Sequence, residues 1–259
     1  MFITIQNMKL HYIVEGEGTP VILLHGWGAN IQAFAPVHQH LAKFHQVYTL
    51  DLPGFGESQE PPEAWGTENF ADFLREFIEK LEIEKPILVG HSHGGRVSIC
   101  YSAKFGDVRK VILVDSAGIK PKRKAKYYFK VYLYKAAKQL LRLPIINKKR
   151  DELLTKVKSM LGSTDYKNSS GVVQQTMVRV VNEDWRHALP KINVPVLLIW
   201  GENDTDTPVS DGELMEKLLP DAGLVVLKNA GHFAYLDQMH QFLVIVDKFL
   251  EKDRKGCNE

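Results

Sequence analysis

The chain has 259 residues, 44% hydrophobic and 25% charged, with two cysteines and a formal net charge of +2. That length fits one α/β unit able to bury about three quarters of its unfolded surface. Cys100 and Cys257 are too few and too badly placed for a disulfide framework or a metal site. No basic leader with an apolar stretch opens the chain, and no apolar run approaches the roughly 18–20 residues of a spanning helix, so the expectation is a soluble, cytoplasmic protein.

From the amino terminus, residues 2–15 alternate as a hairpin does, with the turn expected at Asn7-Met8. Residues 20–25 form the first parallel strand and run into His25-Gly26-Trp27-Gly28, a tight glycine turn that can aim a backbone N–H at a nearby site. Residues 47–51 are the next strand, followed by a loop rich in proline and glycine over 53–66. Phe70, Phe73, Leu74, Phe77, Ile78 and Leu81 recur at helical spacing, which predicts a helix over 68–82 with one core-facing side. Residues 86–90 are a short buried strand and residues 96–105 a helix. Residues 111–115 make the sixth strand, and two further apolar runs, 196–200 and 224–227, follow a long intervening segment.

Between strand and helix stands Gly90-His91-Ser92-His93-Gly94, a Gly-x-Ser-x-Gly sequence. A serine held on a strained strand-to-helix turn needs glycines around it so that neighbouring backbones can approach without Cβ clashes, and Gly90, Gly94 and Gly95 supply them. Downstream, the run 196–200 ends in Gly201-Glu202-Asn203-Asp204, and the run 224–227 leads to Gly231-His232-Phe233. Serine, carboxylate and histidine therefore follow three buried strands in the order Ser92, Asp204, His232. A serine hydroxyl is a poor nucleophile until a base takes its proton, and the base needs a carboxylate to fix its tautomer and stabilise its cation. Ser92, His232 and Asp204 are the candidates for those roles, with Asp206 and Asp115 as competing acids. The backbone N–H groups of Trp27 and His93 are the candidate oxyanion donors. His25 is expected to fix its loop internally and His91 to pack beside the elbow; neither is expected as a metal ligand.

With these pieces and Asp51-Leu52-Pro53-Gly54-Phe55-Gly56-Glu57-Ser58, nearly the whole chain resembles the α/β-hydrolase superfamily. The resemblance implies an α/β-hydrolase fold: an eight-stranded sheet with only the second strand antiparallel, a central serine elbow and a mobile helical cap inserted after strand six. Core over 1–118 and 186–259 and cap over 119–185 are the expected divisions. His93 departs from the pattern, since many members carry a bulky apolar residue or glutamine after the serine. A superfamily that hosts many chemistries does not name a substrate.

Residues 120–150 hold twelve lysines and arginines and no acidic residue, so the rest of the chain carries about −10. The segment reads first as the solvated faces of amphipathic cap helices, whose interleaved tyrosines and leucines cover the site. Attraction of anionic substrates and peripheral contact with an anionic membrane surface are the other two readings. No base-stacking platform accompanies the charge, so nucleic acid is not an expected partner. No metal or nucleotide motif is present and no cofactor is expected; metal ligands are none.

The resulting expectation is a serine hydrolase that cleaves a carboxylic ester or related acyl bond of a small-to-medium substrate through an acyl-enzyme on Ser92. The alternatives are a carbon–carbon bond hydrolase of a β-diketone-type acid and a ligand-binding protein of the same fold with little turnover. Perhydrolysis without a cofactor is a possible side activity. Substrate identity and oligomeric state are not written in these motifs.

Overall fold

A computed structural model describes residues 1–121, Tyr132 and 171–254. Eight strands form one sheet: β1 (Phe2–Ile5), β2 (Met8–Glu15), β3 (Pro20–Leu24), β4 (Gln46–Leu50), β5 (Ile87–His91), β6 (Lys110–Val114), β7 (Val196–Gly201) and β8 (Ala222–Leu227). Their spatial order is β1-β2-β4-β3-β5-β6-β7-β8. β2 runs antiparallel to both β1 and β4, and every other pairing is parallel.

The opening hairpin turns one residue earlier than the alternation suggests. Ile5 pairs with Met8, so the loop is Gln6-Asn7, and both have positive φ (50° and 61°). That is the twist a two-residue hairpin loop requires.

Parallel strands covered on both faces must be apolar on both, and alternate residues of the central strands divide accordingly. Ile22, Leu24, Leu88, Leu113, Leu198 and Trp200 join one core with helices α2 (Thr67–Lys80) and α3 (His93–Phe105). Val21, Leu23, Val89, Ile112, Val114 and Ile199 join the other, against α1 (Ala35–Leu41) and the helix Met239–Phe249. The periodic face expected over 68–82 is buried: Phe70, Phe73, Leu74 and Phe77 are nearly inaccessible, each worth roughly 1.5–3 kcal/mol.

The insertion between β6 and β7 includes the described helix α4 (Gly171–Val180). Thr176 Oγ1 of α4 accepts from Trp65 N at 3.0 Å, and Arg179 Nη1 donates to Ala64 O at 3.0 Å, so α4 lies on the 53–66 loop. Most of the expected cap and of the basic segment lies outside the described residues. The remaining helices are α5 (Val209–Leu218), α6 (Ala234–Asp237) and α7 (Met239–Phe249). Among the described residues, no helix is long and apolar enough to cross a membrane.

Candidate active site

Open parallel sheets gather chemistry beyond the carboxyl ends of their strands. β5 continues through His91, one residue further than expected, and α3 starts at His93 rather than at Arg96. A single residue, Ser92, makes the whole turn, with φ 49° and ψ −109°. A non-glycine residue there stores strain of about 1–3 kcal/mol, which the surrounding contacts must offset. They do so by close packing. A Cβ on Gly94 would overlap the Leu24 carbonyl oxygen of β3, and one on Gly90 would lie 2.5 Å from the Gly94 carbonyl carbon. The glycines let α3 press into the angle between β3 and β5, which holds Ser92 upright.

Ser92 Oγ lies 3.0 Å from His232 Nε2, and His232 Nδ1 lies 2.8 Å from Asp204 Oδ2. The three residues nominated from the sequence thus meet in one hydrogen-bonded chain, although Ser92 and His232 are separated by 140 positions. Asp204 is buried and fixed by its own loop: Oδ1 accepts from Asp206 N (2.8 Å) and Thr207 N (3.1 Å), and Oδ2 accepts from Thr207 Oγ1 (2.7 Å). Trp200 Nε1 donates to Thr207 O at 2.7 Å and pins that loop to β7. Burial acts to raise the Asp204 pKa, but hydrogen bonds from His232 and Thr207 outweigh it and keep the carboxyl below its ordinary value. Burial acts to lower the His232 pKa, and the bond and charge of Asp204, helped by Asp206 and Asp115, lift it above 6.5.

The competing acids are placed differently. Asp206 is exposed and gives Asp204 its backbone N–H. Asp115 is fully buried at the end of β6, where Oδ1 accepts from Gly201 N (2.7 Å) and Oδ2 from Ala234 N (3.0 Å). It therefore ties β6 to the loops carrying Asp204 and His232. Burial pushes its carboxyl up to about 7, against those two backbone bonds. Asp204, Asp206 and His232 offer ligand atoms within 4.8 Å of one another, the spacing of a metal cluster. Two of the three are already hydrogen-bonded to each other and to Thr207.

The loop carrying Trp27 lies against the elbow: a Cβ on Gly26 would stand 3.3 Å from Ser92 Cβ. The Trp27 indole meets Phe55 edge-on (centroids 4.9 Å) and His93 likewise (5.2 Å). His25 Nδ1 lies 2.7 Å from Gly26 O and its Nε2 accepts from Leu52 N at 2.9 Å, which fixes a neutral tautomer, and burial lowers its pKa. His91 Nε2 donates to His232 O at 2.7 Å, and burial with the neighbouring His232 brings its pKa down to about 3.

Sequence reasoning had not assigned a role to two residues near this site. Asp51 holds Ile31 N (2.7 Å), Glu57 N (2.9 Å) and His11 Nδ1 (2.8 Å), joining the loops after β3 and β4 to the hairpin. Arg96, which marked only the expected start of a helix, is 4% exposed in the first turn of α3. Its signal was a charged residue on the stripe shared with His93, Val97 and Cys100.

Residues 19–238 match the family model for the alpha/beta hydrolase fold, and the chain belongs to that family. It is similar to an uncharacterized protein of Mycobacterium tuberculosis, 26% identical over 96% of this chain and 80% of that one. It is also similar to the pimeloyl-[acyl-carrier protein] methyl ester esterase of Legionella pneumophila, 26% identical over 94% of this chain and 100% of the relative. Among solved structures, an esterase from Exiguobacterium antarcticum superposes with a TM-score of 0.77 at 25% identity, covering 97% of this chain and 99% of the other.

Proposed function

We propose that the chain is a serine hydrolase that cleaves a carboxylic ester or related acyl bond, with Ser92, His232 and Asp204 as its catalytic groups. The observation that carries this reading is the continuous chain Ser92 Oγ–His232 Nε2 (3.0 Å) and His232 Nδ1–Asp204 Oδ2 (2.8 Å). The named relatives that cleave esters support the bond type.

In this reading His232 Nε2 takes the proton of Ser92 Oγ as the oxygen attacks the acyl carbon. Asp204 stabilises the imidazolium that forms. The oxyanion is met by the backbone N–H groups of Trp27 and His93, neither of which donates to a described backbone acceptor. His232 then gives its proton to the leaving alkoxide, an acyl-enzyme remains on Ser92, and water activated by the same imidazole releases the acid. Residues 119–185 act as a cap over the core formed by the rest, and the substrate is a small or medium-sized acyl compound.

The test is intact-mass analysis after treatment with a fluorophosphonate probe, on wild type and Ser92→Ala, with a p-nitrophenyl ester series of increasing acyl length. One adduct that needs Ser92, and turnover that peaks at one chain length, is the expected result. An adduct without ester turnover would shift the chemistry to carbon–carbon hydrolysis or to ligand binding. No adduct would remove Ser92 as an activated nucleophile.

A further inference from the structure

Beside the elbow lies a group of buried hydrogen-bonding atoms with no partner among the described residues. Trp27 Nε1, His93 Nε2, and both Nε and Nη1 of Arg96 are inaccessible and, within those residues, unpartnered. They belong together: the Trp27 and His93 rings are 5.2 Å apart, and Arg96 stands one turn beyond His93 on the same face of α3. Phe55 walls this group beside Trp27, and Phe70 beside His93 at 4.8 Å.

Burying a cation without a counter-charge, or a polar group without a hydrogen-bond partner, is costly unless something else supplies the partner. Among the described residues, the two carboxylates whose charge reaches Arg96 are committed elsewhere. Glu183 accepts from Thr67 N at 3.1 Å and Trp185 Nε1 at 3.3 Å, and Asp184 pairs with Arg186 at 2.9 Å. Burial draws the Arg96 guanidinium down to about 10, with Glu183 and Asp184 acting the other way from a distance. His93 is held neutral, first by burial and then by the Arg96 charge, so Nε2 is free to carry a hydrogen.

We propose that Arg96, with Trp27 Nε1–H and His93 Nε2–H, receives a carboxylate of the substrate, so that the enzyme selects esters that also carry a free acid. This rests on the serine-hydrolase reading and specifies its substrate class. The set is rich in donors, carries one positive charge and is walled by aromatic rings, which suits a monoanionic carboxylate on a short apolar chain better than a phosphate dianion. Trp27 and His93 also provide the backbone donors for the oxyanion, so the carboxylate would sit within a side chain's length of the reacting carbonyl.

Two pairs of esters test it and locate the acid. p-Nitrophenyl hemiglutarate against p-nitrophenyl pentanoate places the carboxylate on the acyl side; 4-acetoxybenzoate against phenyl acetate places it on the leaving side. In at least one pair, wild type is expected to favour the acid by about tenfold or more in kcat/KM, and Arg96→Met to lower that ratio by about tenfold or more, to near one. Arg96→Lys, which keeps the charge, should hold an intermediate ratio. Wild-type ratios at or below one in both pairs, or a ratio that Arg96→Met leaves unchanged, would overturn the proposal.

If Arg96→Met does not fold, the wild-type ratios decide alone. Thermal shift of Ser92→Ala by monomethyl glutarate against dimethyl glutarate needs no turnover. Stabilisation by the acid alone would uphold the carboxylate site even if Ser92 proved not to be a nucleophile, and equal shifts would count against the site.

Discussion

At the scale of single residues, the three carboxylates around His232 differ by what else they hold. Asp204→Asn leaves one amide face toward His232 and disrupts the tautomer, so activity should fall by about 10⁴-fold, close to the loss from Ser92→Ala. Asp206→Asn removes only a charge felt across the site. In the proposed mechanism His232 must be neutral to act as base, so kcat/KM should rise with pH through a midpoint above 6.5, and Asp206→Asn should move that midpoint down. A pH–rate profile that kept the same acid limb in Asp206→Asn would reject this coupling. Asp115→Asn places an NH₂ group against either Gly201 N or Ala234 N, two donors face to face. The expected result is a stability loss of about 1–3 kcal/mol in denaturant melts, with a smaller loss of activity than Asp204→Asn.

At the scale of elements, the elbow works because β3, β5 and α3 approach more closely than side chains permit. Gly94→Ala sets a methyl group against the Leu24 carbonyl, and the strand-helix angle cannot open without moving Ser92. Overpacking of this kind should cost about 3 kcal/mol or more, read as a lower denaturation midpoint together with slower fluorophosphonate labelling. This geometry was legible in the sequence, because the glycines, the strand ends and the order Ser92, Asp204, His232 are local patterns that one fold combines. The strand and helix limits around Ser92 were less so: only the strained φ of Ser92 lets α3 begin at His93, and no pattern of apolar residues encodes that angle. The roles of Asp115 and Arg96 were hidden for another reason. Asp115 depends on Gly201 and Ala234 from distant elements, and Arg96 on the lack of a partner for Nε and Nη1 among the described residues.

At the scale of the whole molecule, charge is divided between a basic stretch over 120–150 and a remainder of about −10. Both ends of the insertion are tied to the edge of the sheet where Ser92 stands, since Asp115 directly follows β6 and Trp185 N donates to Gly118 O at 2.8 Å. In the proposed cap arrangement the basic charge of 120–150 raises encounter rates with anions, an effect screened over about 8 Å at physiological salt. Raising the salt from about 20 mM to 0.5 M should therefore lower kcat/KM for acid-bearing esters severalfold and leave neutral esters nearly unchanged. A buried guanidinium is screened far less, so the effect should persist in Arg96→Met; its loss there would assign it to Arg96 alone. The turn at Ser92 has one more consequence, for anyone who selects variants by heat resistance. Its φ of 49° and ψ of −109° suit glycine, so Ser92→Gly should relax the backbone and melt higher than wild type and than Ser92→Ala. A screen that rewards durability alone would then favour loss of the hydroxyl, and would retain the serine only if turnover were scored as well.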